Sequence, residues 1–163
     1  PVLLLDQDRN RWDTGHLRRG LAALSTADGL AGVPGSYLLQ ARIAAEHGRA
    51  ARAADTDWVR IADLYEQLAR RTGSAVVEVN RAVALAQAYG PQAGLTLLDQ
   101  LAELPALRAY HLVPSVRGDL LARLGRTATA RAEFERAAGL TSNRAERELL
   151  LRRAAELGPP DGP

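Results

Sequence analysis

The sequence predicts an all-α chain of about eight helices, paired as antiparallel hairpins and stacked as a right-handed, tetratricopeptide-like superhelix. Three observations carry that expectation. Apolar residues make up 47% of the 163, and most are Ala and Leu, which lose little freedom on entering a helix. The β-branched residues are scattered and never alternate with period two, as a half-buried strand requires. Stretches of helical length, with Leu or Ala at spacings of three and four, are separated by short Gly, Pro, Asp and Ser punctuation.

The elements follow in order. Residues 1–13, PVLLLDQDRNRWD, read as an N-terminal arm in which an apolar strip runs into a polar cluster. The first helix is capped by Asp13 or Thr14 and runs to about Thr26, with Leu17, Leu21 and Leu24 as its stripe. Residues 28–35 read as a loop. A second helix, Ser36 to Gly48, packs through Tyr37, Ala41, Ala44 and Ala45. Asp57 caps a third, Trp58 to Arg71, with Ile61, Leu64, Tyr65 and Leu68 facing inward and Trp58 in the core. The fourth, Ala75 to Tyr89, ends on Gly90 as a left-handed cap. Pro91 opens a fifth, which runs to Glu103 through Leu95, Leu98 and Leu101 before Pro105. The sixth spans Arg108 to Leu124, with Pro114 marking either its regular start or a kink. The seventh covers Thr127 to Ala138. The eighth is capped by Ser142 or Asn143, and reaches Leu157. Residues 14–158 thus form the helical domain, and 159–163 (PPDGP) are expected to be a disordered tail.

The hairpins fall at 36–71, 75–104 and 108–138. Within Arg117 to Ala137, the residues Gly118, Leu121, Gly125, Ala130, Phe134 and Ala137 follow the small-and-large pattern of a tetratricopeptide repeat.

Composition narrows the function. With no Cys, the chain has no disulfide, thiolate metal site or Cys nucleophile. No segment approaches the roughly 20 apolar residues of a membrane span, and no secretory signal is visible, so a cytoplasmic setting without a membrane partner is expected. The start at Pro1 suggests a piece of a longer polypeptide. All 21 basic residues are Arg, but the net charge is only +2 and acids interleave with them. A nucleic-acid groove wants clustered basic charge. His16, His47 and His111 share no ligand spacing, and there is neither a phosphate-binding Gly loop nor a Ser elbow. No metal, cofactor or catalytic residue is expected, and the chain reads as a binding module.

Specific strings sharpen this reading. LLLDQDRNRWD at 3–13, ADTDW at 54–58, NRAVALA at 80–86, GPQAGLTLLDQL at 90–101, YHL at 110–112 and LLARLGRTATARAEFERAAGLTSNRAER at 120–147 span nearly the whole chain. In them the chain resembles the C-terminal, tetratricopeptide-like domain of a subgroup of extracytoplasmic-function RNA polymerase sigma factors. The resemblance implies a cytoplasmic transcription regulator whose partners are the sigma-factor core regions, RNA polymerase or a regulatory protein. DNA would be reached only through regions preceding Pro1. Pro114, Val116 and Gly118 depart from the expected pattern, where mostly Ala and other helix formers would stand.

Two interaction candidates follow. Asp6, Gln7, Asp8, Arg9, Arg11, Trp12 and Asp13 combine carboxylates, guanidinium forks and an aromatic ring, a set suited to a specific polar interface. The segment is either a docking element toward the sigma regions or polymerase, or an arm pinned by Trp12 to its own helices. Paired-carboxylate catalysis is disfavoured, because the neighbouring Arg would hold both acids ionised. Asn80 and Arg81, on the first helix of a hairpin, either hold a bound peptide or bond between helices. A generic helical-repeat scaffold and an α-helical small-ligand sensor are the competing functions.

Overall fold

A computed structural model describes residues 8–30 and 32–158. The described residues form eight α-helices and no strand: α1 Thr14–Leu30, α2 Ser36–Arg49, α3 Trp58–Thr72, α4 Ala75–Tyr89, α5 Pro91–Leu101, α6 Leu112–Arg123, α7 Thr127–Leu140 and α8 Arg144–Glu156. Short 3-10 turns lie at Arg9–Arg11, Ala53–Asp55 and Pro105–Leu107. The chain divides into two compact units, 1–73 and 74–163. The expected tail at 159–163 lies outside the described residues.

In the first unit α2 packs against both α1 and α3. Asp57 caps α3 by accepting from the Arg60 amide at 2.9 Å, and Gly73, with φ 63° and ψ 17°, ends the helix in the left-handed conformation that a side chain resists. The inward stripe of α3 is the expected one, with Ile61, Leu64 and Leu68 buried. Three expectations need correcting. Helix α1 does not stop near Thr26 but continues to Leu30, and Arg42 of α2 donates to Asp28 in its last turn at 2.7 Å. The packing face of α2 is Leu39, Ile43 and Ala45, whereas Tyr37 is 86% exposed and Ala41 and Ala44 face out. Small Ala residues fit either side of a helix, so they did not mark which side is buried. Trp58 is half-buried at the start of α3, not a core residue, with its ring edge-on to His47.

The second unit stacks α4 on α5, α6 on α7 and α7 on α8. One cluster runs from Val79, Ala82 and Ala86 through Leu95 and Leu98 to Val113, Leu120 and Leu121. A second, around Phe134, joins Ala137, Ala138, Leu150 and Ala154. Small residues set the helix spacing. A Cβ on Gly94 would lie 2.5 Å from the Ala82 carbonyl oxygen, and one on Gly118 would lie 2.8 Å from the Phe134 ring. The unexpected Gly118 therefore makes room for a side chain only 1% exposed. Of the two readings of Pro114 the first holds: the regular helix starts near it, at Leu112 and not at Arg108, and Pro114 occupies the first turn of α6, where backbone amides have no helical acceptor. Gly90 has φ 94° and ψ 162°, a positive-φ backbone that favours glycine but not the left-handed helical cap expected, and it caps the end of α4 and the start of α5 together.

Arginine closes several helix ends. Arg147 donates to the carbonyls of Ala138 at 3.2 Å and Thr141 at 2.7 Å at the end of α7. Arg131 donates to Gly158 beyond α8 at 3.1 Å. A planar fork carries several donors to the negative end of a helix, which an ammonium cannot do in the same geometry. Arg153 lies 4.4 Å above the Phe134 ring and pairs with Asp119. Among the described residues no helix is long and apolar enough to cross a membrane.

Candidate functional site

The polar segment at 8–13 leads into α1, and its geometry starts from Asp13. The Asp13 carboxylate accepts from the His16 amide at 2.8 Å and meets the His16 ring Nδ1 at 2.6 Å, so it caps α1. The amide bond, ahead of the ring contact, holds the Asp13 carboxyl below its ordinary range. Asp13 is thus the N-cap, and its acid is occupied within its own helix.

Arg9 is the hub. Its guanidinium donates to the carbonyls of His47 at 2.7 Å and Ala50 at 2.8 Å, and to the Thr56 hydroxyl at 3.0 Å. These acceptors lie at the end of α2 and in the loop before α3, and Thr56 is one of two buried polar residues among those described. The Trp12 ring covers the guanidinium, 5.1 Å from Arg9 Cζ to its centroid. On the far side the His47 ring meets the Trp58 ring edge-on, with centroids 5.2 Å apart and planes at 72°. His47 Nδ1 and Arg9 Nε are buried and make no hydrogen bond among the described residues. Burial first, and the Arg9 charge second, hold the His47 imidazole below its ordinary pKa, while Glu46 opposes them. Burial and the neighbouring guanidinium thus disfavour the charged ring more than Glu46 favours it.

The sequence candidates therefore separate. Arg9 and Trp12 face the body of the unit, Asp13 caps α1, and Asp8 and Arg11 lie on the exposed side. Asp6 and Gln7 lie outside the described residues. His47, Thr56 and Trp58 belong to the cluster although sequence reasoning did not join them to the arm. Only the ADTDW string pointed near them, and it gave Asp57 and Trp58 the roles of cap and core.

In the second unit, Asn80 and Arg81 stand in the middle of α4. Asn80 is exposed. Arg81 is partly buried and donates through Nε to Glu78 one turn earlier at 2.6 Å, so its charge is matched locally. Of the pair, Asn80 is the one that faces outward without a bond of this kind among the described residues.

The remaining histidines are dispersed. His16 serves α1, and His111 meets the Tyr110 ring at 5.9 Å and Glu146 of α8 at 3.3 Å.

No protein-family profile matches the chain, and no solved structure matches it. The chain is 43% identical over 145 residues to an uncharacterized protein of Rhizobium meliloti (strain 1021). The match covers 89% of this chain and 34% of that protein, so the chain spans about a third of the length of its relative.

Proposed function

We propose that this chain is a regulatory, protein-binding domain of an extracytoplasmic-function-type sigma factor. It works in the cytoplasm by binding and not by catalysis, and modulates transcription initiation through contacts with the sigma regions, RNA polymerase or a partner protein. The observation that carries this reading is the arm. A segment rich in charge is anchored by Arg9 and Trp12 so that Arg11 and Asp8 stay on the exposed side. An anchored polar segment loses less entropy on docking than a free one. The strings at 3–13 and 80–86 support the choice of family, and the greater length of the Rhizobium relative agrees with a domain attached to other regions.

One observation favours a second reading, a helical scaffold unrelated to transcription. Arg9 spends its donors on its own helices, as a purely structural arm would. A promoter-reporter assay paired with thermal melts separates the two. The docking role predicts that Arg11→Glu with Asp8→Ala lowers transcription by about tenfold or more, with the melting temperature unchanged. Full transcription from that folded double variant would refute it. Arg9→Ala is the structural reference, expected to lower both.

A further inference from the structure

We infer that the connection between α1 and α2, together with the end of α3, is a docking surface for an acidic, apolar-anchored peptide segment of a protein partner. This surface is separate from the arm and does not rest on the sigma-factor reading.

Large apolar side chains scattered singly over a surface need no explanation, but several in one short connection do. Leu30 is 84%, Val33 84% and Tyr37 86% exposed, the three most exposed large apolar side chains among the described residues. All three fall within eight positions of the chain. Beside the connection the two helices are tied together, because Arg42 of α2 donates twice to Asp28 in the last turn of α1, through Nε at 2.9 Å and Nη2 at 2.7 Å. Val33 and Pro34 form one wall of a cleft of about 300 Å³, whose floor includes buried Leu39 and whose other wall is the last turns of α3.

Charge selects the occupant. Arg70 and Arg71 stand on the α3 wall. Arg70 is paired with Glu66, while Arg71 is exposed and makes no ion pair among the described residues. An apolar cleft beside an unmatched guanidinium is complementary to a large apolar side chain with a carboxylate near it. Tyr37 adds an amphipathic ring of the kind enriched where partners bind. An anionic lipid surface is the other occupant such residues suit, but it rewards several basic residues together. Here one of the two guanidinia is already neutralised, and a concave cleft fits a side chain better than a plane.

The test is a selection of random twelve-residue peptides on the whole immobilised chain, followed by fluorescence anisotropy of the enriched peptides. The inference expects peptides carrying Asp or Glu beside Leu, Phe or Trp. Their affinity should fall at least tenfold with Val33→Asp and with Arg71→Glu, while Tyr89→Ala, an exposed control in the other unit, changes nothing. Replacing the peptide acids by Lys should restore binding to the Arg71→Glu chain. All these positions are exposed, so melts of the variants should match the parent. Three outcomes would overturn the inference. They are a selection that enriches no acidic-apolar peptides, binding indifferent to both substitutions, and binding of phosphatidylglycerol vesicles through Val33 and Arg71 without binding of any selected peptide.

Discussion

A guanidinium that reaches three acceptors on other elements is not replaceable by an ammonium. Arg9 holds the His47 and Ala50 carbonyls and the Thr56 hydroxyl at 2.7, 2.8 and 3.0 Å, and hydrogen bonds to charged groups contribute about 1.5–3 kcal/mol each when well made. For this partly exposed side chain we expect Arg9→Ala to cost about 2 kcal/mol in urea unfolding, with Arg9→Lys recovering little of it. His47 gives the same cluster a pH dependence. Its imidazole titrates below the ordinary value of 6.5 in the folded chain. As the pH falls through that value, the unfolded chain takes up the proton first. Stability is therefore full above about pH 6.5, declines below it, and stops declining once the pH has passed the folded value. Urea midpoints from pH 7.5 to 5 should fall for the parent and fall less for His47→Gln, a comparison that isolates this one side chain. Equal slopes would place His47 outside the effect. An arm pinned to its own helices was legible in the sequence as one of two readings, but its partners were not: those of Arg9 lie 38 to 47 positions away, beyond any helical periodicity. The Asp13 and Asp57 caps were legible, because a cap bonds within three residues of itself.

At the scale of the helix, Gly94 of α5 costs propensity but is held in place by packing. Ala is normally the better helix residue, by about 1 kcal/mol. A Cβ on Gly94 would nevertheless meet the Ala82 carbonyl oxygen at 2.5 Å and the Ala86 Cβ at 2.8 Å. Backbone cannot move aside as a side-chain tip can, so Gly94→Ala should destabilise by about 1–3 kcal/mol. Gly139 in α7 is the converse, exposed with nothing within 4 Å of a Cβ, and Gly139→Ala should stabilise by about 0.5–1 kcal/mol. Paired thermal melts of the two variants check both signs. The positions of the hairpins were readable from Leu spacing and from Gly and Pro punctuation, which act locally. The buried faces of α1 and α2 were less readable. In α2 an Ala-rich face competes with Leu39 and Ile43, and in α1 Asp28 and Gly29 did not stop the helix.

At the scale of the molecule, the two apolar clusters described for the second unit draw, among the described residues, only on those from Ala75 onward. A fragment of residues 74–163 should therefore be helical and melt cooperatively by circular dichroism, since stacked hairpins bury their faces against their immediate neighbours. A broad, uncooperative melt would mean that this core is incomplete without the first unit. The central claim, that the chain acts by holding a protein partner of the transcription machinery, meets its most direct test in a binding measurement. The purified chain is immobilised and exposed in turn to RNA polymerase core enzyme and to separately expressed polymerase-binding and promoter-reading regions of an extracytoplasmic-function sigma factor. The account predicts saturable binding to at least one of them, weakened tenfold or more by Arg11→Glu in a chain that melts like the parent. No binding to either partner, or binding indifferent to Arg11→Glu and Asp8→Ala, would contradict it.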